Sequence, residues 1–283
     1  MAQTGQGGVL VLGGTSLIGG FLLPRLDPSA LILSRHVREG DTAHRWRRGD
    51  FADIQAWSAE IRAEQVFALC PIWLLKPELL AGLYARGMRR LVAFSSTSRF
   101  TKTASGSAKE RAVAAALIGG EATVEAFCAA HGVGYTILRP TLIYAEGKDG
   151  NVSRLAALIR RLGVLPLPGR AAGLRQPVHA DDLAIVALAA MDRAPTNRAY
   201  EVPGGETLTY RAMVERIFEG LGRRPCILSL PPALLRVAYT LAKPVLPGST
   251  EDMILRVNED LVFDLADARR DLGWAARDFH PRF

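Results

Sequence analysis

The sequence predicts an α/β fold, a doubly wound parallel sheet with a smaller C-terminal substrate lobe, and three observations carry that prediction. Short aliphatic runs alternate with helix-length segments through the first half. Those runs are apolar throughout, as expected of parallel strands covered on both faces. The first of them, in "VLVLGGTSLIGG", feeds a glycine-rich corner. Strands are expected at Gly8–Leu12, Ala30–Leu33, Val66–Cys70, Leu91–Ser95 and Tyr135–Leu138. Helices are expected at Ser16–Leu26, Asp53–Arg62, Pro77–Arg86 and a long Ser107–His131. In the second half, Asn151–Leu162, Asp181–Met191 and Tyr210–Leu221 are amphipathic, with Asp181 or Asp182 placed to cap the second of these. Residues 1–145 are read as the nucleotide-binding domain, with 175–204 returning to it. Residues 146–174 and 205–283 form the lobe.

Composition narrows the function classes. Of 283 residues, 49% are hydrophobic and 22% charged, which suits a packed core and not disorder. The net charge of +7 is spread along the chain, with clusters at Arg45, Arg47, Arg48 and at Arg89, Arg90. No aromatic stacking pattern or DNA-reading module accompanies them, so a phosphorylated small molecule is a better partner than nucleic acid. The cysteines Cys70, Cys128 and Cys226 lie far apart, excluding a zinc site or disulfide framework and suiting a reducing cytoplasm. His179 beside Asp181 and Asp182 lacks further ligands at metal spacing and reads as a strand-end histidine beside a helix cap, so no metal is expected. Trp46, Trp57, Trp73 and Trp274 read as packing residues. The apolar run Leu183–Met191 is too short to span a bilayer. Pro232–Leu246 could lie at a membrane interface, but a helix packed inside the lobe is the preferred reading.

The corner carries the chemistry. A strand turning sharply into a helix aims unpaired N–H groups at whatever fills the turn, and in this sheet class the usual guest is pyrophosphate. The spacing is Gly13-x-x-Ser16-x-x-Gly19, in which Gly13 permits the turn and Gly19 close packing. Ser16 can cap the helix or donate to phosphate. The corner is no P-loop, because Gly20-Phe21 follows where Lys-Ser/Thr would stand. A glycine turn that merely packs is the alternative. After the second strand come Ser34 and Arg35, a hydroxyl and a guanidinium in place of the acid that holds a ribose 2′-OH. They favour a 2′-phosphate, hence NADP over NAD, unless Arg35 is only a solvated loop cation. "GDFAD" then offers Asp50 beside Phe51 to read the adenine.

With these pieces assembled, the chain resembles the extended or atypical short-chain dehydrogenase/reductase superfamily, in particular its NAD-dependent epimerase/dehydratase branch. "VLVLGGTSLIG", "GDFAD", "LVAFSSTS", "YTILRPTLIYAEGKDGN", "QPVHADDLA", "YEVPGGETLTYRAMV" and "DLGWAARDF" match its signatures in order. The resemblance implies a Rossmann-type sheet binding NAD(P), a lobe closing over a nucleotide-linked sugar, and pairing into a homodimer through helices that include the long one. It places Gly13, Thr15, Ser16, Leu17, Ile18 and Gly19 on the pyrophosphate, and Ser34, Arg35, Asp50 and Phe51 on the adenosine side. Cys70, Ser95 and Pro140 are also assigned to the coenzyme. Thr97 falls on the family's catalytic Ser/Thr.

One signature fails. Active members carry Tyr-x-x-x-Lys on the long helix, the Tyr exchanging a proton while hydride moves. Counting back from Glu121 puts Val113 at the Tyr position and Leu117 at the Lys position, and the sequence has no tyrosine between Tyr84 and Tyr135. Lys102, Lys109 and Tyr144 could approach the same cleft, although two surface cations and a packing residue describe them better. The expected function is an NADP-binding relative of nucleotide-sugar epimerases and dehydratases acting as an unconventional oxidoreductase, with a non-catalytic NADP(H) sensor or assembly factor as the alternative.

Overall fold

The computed structural model describes residues 8–37, 40, 41, 43–51, 53, 61–231, 234 and 256–283. Most of the expected helix Asp53–Arg62, with Trp57, and nearly all of Pro232–Leu246 fall outside them. In chain order the first half runs β1 (Val9–Leu12), α1 (Gly19–Leu22), β2 (Leu31–Ser34), β3 (Arg45–Arg48), β4 (Gln65–Ala68), α2 (Pro77–Ala85), β5 (Arg90–Phe94), α3 (Ser98–Thr101), α4 (Ala108–His131) and β6 (Gly134–Pro140). The second half runs β7 (Ile143–Tyr144), α5 (Val152–Leu162), β8 (Leu165–Pro168), β9 (Leu174–Arg175), β10 (Val178–His179) and α6 (Ala180–Asp192). It closes with β11 (Arg198–Val202), β12 (Leu208–Thr209), α7 (Tyr210–Gly220), β13 (Ile227–Leu230) and α8 (Ala266–Leu272).

Seven strands form one parallel sheet in the order β11-β6-β5-β4-β1-β2-β3. Winding reverses between β1 and β4, and the crevice at that switch, outside the carboxyl ends of the strands, is where such sheets hold ligands. The two-residue alternation of strand side chains divides the apolar runs between two cores. Val11, Ile32, Phe67 and Val92 face Leu22, Leu183 and Val186, whereas Leu10, Leu12, Leu33 and Leu91 face Leu79, Leu83, Leu117 and Val124. A third core, with Val152, Ile159, Met213, Ile217, Phe218 and Phe279, belongs to the lobe.

Several expectations change. The helix after the corner is a single α turn, Gly19–Leu22, continued as a 3-10 turn over Leu23–Arg25, in place of Ser16–Leu26. Pro24 has no N–H to continue the ladder, which stops the helix there. β3 is a strand that the reading as a cation cluster missed: its Arg45, Arg47 and Arg48 are exposed on the sheet edge, where charge blocks further pairing. The cap of α6 is His179, whose Nδ1 accepts from the Asp181 amide at 3.1 Å; neither aspartate serves as the cap. Asp181 and Asp182 sit in the first turn and bind Arg277 instead. The segment that closes the chain does not pack wholly in the lobe, because Ala268, Leu272 and Trp274 join the core under α6. Finally, α4 is long and apolar enough to cross a membrane by length and composition, which Leu183–Met191 is not. One face of α4 packs on the sheet through Leu117, Val124 and Cys128.

Candidate functional site

The corner between β1 and α1 is built for close approach. Gly13 has φ +80°, the left-handed region that side chains avoid. A Cβ on Gly14 would lie 2.3 Å from Ile32 Cγ2, and one on Gly19 would lie 2.2 Å from the Gly14 carbonyl oxygen. Neither contact can be met without a shift of the neighbouring atoms, so the backbone is drawn in tightly under the turn. The Gly13 amide donates to Leu33 O at 2.9 Å, and the Ser16 amide to Gly13 O at 3.0 Å. Ser16 Oγ accepts the Gly19 amide at 3.1 Å, so the serine occupies one of the donors the corner could offer. Among the described residues nothing accepts from the amides of Leu17 and Ile18. Unpaired amides at such a turn are the donor set that a diphosphate requires, and the partial charge acts within the first turn, so the brevity of α1 costs little.

Other assigned residues gather round this corner. Ser34 is buried and its hydroxyl lies 3.1 Å from Thr15 Oγ1, tying the end of β2 to the turn. Arg35 is exposed beside it, and register sets Arg48 of β3 opposite Ser34. Asp50 is exposed, while Phe51 is packed in the second core with Leu33 and Ile61. Cys70, just past β4, lies against Gly13, and burial pushes its thiol up to about 12. It is a neutral packing group at ordinary pH, not a nucleophile.

Beyond β5 lies a cavity of about 170 Å³ lined by Phe94, Ser95, Ser96, Ile72, Val113 and Leu117, among others. Val113 and Leu117 thus face the end of β5 from α4, where the family resemblance puts its Tyr and Lys. Thr97 does not line this cavity. It is buried, and its hydroxyl donates to Pro140 O at 3.1 Å. Trp73, read from sequence as a packing residue, is partly exposed and forms part of the wall. Lys102 is held 3.0 Å from Glu110, and Lys109 is exposed; neither lines the cavity. Tyr144 is buried against the rings of His179 and Phe279, and burial pushes its phenol up, with Glu146 adding to the effect.

Behind the cavity sits a charge cluster that sequence reasoning used only as a counting mark. Glu121, 1% exposed, accepts from Ser95 Oγ, from Arg99, and from Arg139 Nη2 at 2.6 Å. Arg139 also reaches Glu201 at 3.0 Å, so the pair links α4, β6 and β11. The eight-residue step from Val113 through Leu117 to Glu121 puts all three on one helix face, which is the signal that could have placed Glu121 beside the site.

The chain is similar to known proteins in part of its sequence and in its fold. Residues 73–202 match the family described as NAD dependent epimerase/dehydratase. Over 154 residues the chain is 28% identical to the uncharacterized protein YbjS of Escherichia coli (strain K12), a match covering 50% of this chain and 44% of that relative. The chain therefore spans less than half the length of that curated relative. The UDP-glucose 4-epimerase of Thermotoga maritima, solved with UDP-glucose, superposes with a TM-score of 0.69 at 17% identity over 95% of this chain and 93% of its own. A double mutant of DesIV, the dTDP-glucose 4,6-dehydratase of Streptomyces venezuelae solved with NAD, gives 0.68 at 17% identity over 95% and 91%. The family match covers residues 73–202, less than half of the chain. The solved epimerases and dehydratases share its sheet and lobe, and at such identities the likeness is one of fold.

Proposed function

We propose that this family relative binds a nicotinamide dinucleotide across the β1–β4 switch, prefers NADP to NAD, and takes a nucleotide-linked sugar or similar small molecule beyond β5. The observation that carries the reading is the corner, where Gly14 and Gly19 leave no room for a side chain and the Leu17 and Ile18 amides are unmatched among the described residues. Gly13, Thr15, Ser16, Leu17, Ile18 and Gly19 enclose the pyrophosphate. Ser34 and Arg35 hold the 2′-phosphate, Asp50 and Phe51 the adenine, and Cys70, Ser95, Pro140 and Thr97 border the nicotinamide end. When bound, the coenzyme supplies hydride chemistry. The relatives solved with UDP-glucose or with NAD support both the coenzyme and the substrate class. The test is thermal stabilisation: NADPH raises the Tm more than NADH, and Arg35→Ala removes a discrimination of about tenfold, the worth of one charge-assisted hydrogen bond. Equal shifts with both coenzymes in the unmodified protein refute the assignment of Arg35.

A second reading, a non-catalytic NADP(H) sensor or assembly factor, is favoured by Val113 and Leu117 in the cavity wall, since neither can carry a proton. Incubation with NADPH and a panel of nucleotide-sugars separates the two. Turnover that is lost in Thr97→Ala supports the unconventional oxidoreductase, and tight binding without turnover supports the sensor. Homodimer formation belongs to the same proposal, with the outward face of α4 and its exposed Ile118 as the surface and sedimentation velocity as the check. So does a reducing cytoplasm, consistent with three free cysteines.

A further inference from the structure

A second and larger cleft, of about 560 Å³, opens between α1, the loop after β7 and the C-terminal segment. None of its lining residues is among those assigned to the coenzyme or to the β5 cavity. Phe21 of α1 forms one wall and Tyr144 another, both edge-on to the His179 imidazole with centroids 5.2 and 4.9 Å away. The Nδ1 lone pair of His179 accepts the Asp181 amide, so the ring proton sits on Nε2, which donates to Glu146 Oε2 at 3.0 Å. The other oxygen of Glu146 accepts the Arg282 amide at 3.3 Å. The one carboxylate in the wall is therefore held by neutral N–H groups and keeps its charge, which the cations beside it outnumber.

The cations divide into used and unused. Arg277 is committed to Asp181 and Asp182, at 2.7 and 2.8 Å. Lys148 has no anionic partner among the described residues, its Nζ lying 5.4 Å from the centroid of the Phe21 ring. The Arg282 guanidinium likewise has none. Two unmatched cations and an aromatic wall, in a space the size of a ligand site, define a chemistry: an anionic group for the cations and a planar or apolar body for the ring. We propose that this cleft is a binding site for a phosphorylated small molecule, its phosphate held by Lys148 and Arg282 and its body laid against Phe21. The site stands apart from the coenzyme reading and does not need it.

Calorimetric titration of the full chain with inorganic pyrophosphate, with and without saturating NADPH, tests this. Binding that persists in the presence of NADPH, and that the double variant Lys148→Gln, Arg282→Gln weakens at least tenfold, is the expected result. Circular dichroism of that variant, whose changes lie at a cleft rim, should match the parent. Absence of heat, an unchanged affinity in the double variant, or equal binding of sulfate at the same ionic strength overturns the proposal. Arg35→Ala leaves this affinity unchanged if the cleft is the site, so loss of coenzyme binding and loss of this binding are read separately.

Discussion

The corner after β1 and the cavity after β5 lie at the same end of one sheet, yet they treat polar groups in opposite ways. At the corner, the Leu17 and Ile18 amides have no acceptor among the described residues, and side chains are excluded by contacts of 2.2–2.3 Å. At the cavity, Val113 and Leu117 form apolar wall, and Ser95, Arg99 and Arg139 are all drawn back onto Glu121. A region that offers unmatched donors is poised for a ligand. A region whose hydroxyl and guanidinium groups are drawn onto one buried carboxylate is organised by its own charges. The contrast teaches that the two regions owe their polarity to different things: the corner to backbone geometry, the cavity to the pairing of particular side chains.

The largest expected effect breaks the cavity side. Glu121→Ala strands Arg139 and Arg99 beside an empty carboxylate site, and removing one partner of a buried pair costs about 3–5 kcal/mol. Chemical denaturation should record it, and Glu121→Gln should recover part through retained hydrogen bonds. A loss within the range of an exposed surface pair would show that the cluster is solvated. On the corner side, Gly19→Ala drives a methyl into the Gly14 carbonyl, for about 1–3 kcal/mol of overpacking. Coenzyme affinity should fall with stability there, whereas Glu121→Gln should leave coenzyme affinity nearly intact. The smallest effect sharpens the comparison. Ser16→Gly frees the Gly19 amide at the cost of one part-buried hydrogen bond, about 0.5–1.5 kcal/mol. Titration should show coenzyme binding tightened severalfold, and unchanged affinity would mean that the freed amide does not face the ligand.

Much of the fold was legible because its signals are local. Apolar runs such as Leu10–Leu12 and Leu91–Ala93 read as covered parallel strands and are so placed. The glycine spacing marked the corner, and the close contacts at Gly14 and Gly19 supply its reason. β3 was illegible because an edge strand is held by backbone pairing that tolerates arginine at every outward position. The α6 cap was misread because His179 and Asp181 both have acceptor atoms at the right spacing, and only the approach of the chain from β10 selects the imidazole.

Order of strands and helices, the glycine turn, and the apolar Val113 and Leu117 on the face of Glu121 are written in the chain itself, since each depends on residue type and spacing over a few positions. Tertiary packing decided which hydroxyls face a cavity, turning Thr97 onto Pro140 O and Ser95 onto Glu121. It also brought Phe21, Lys148 and Arg282, far apart in sequence, to one cleft. Such meetings depend on crossovers and core shape, and no local pattern encodes them.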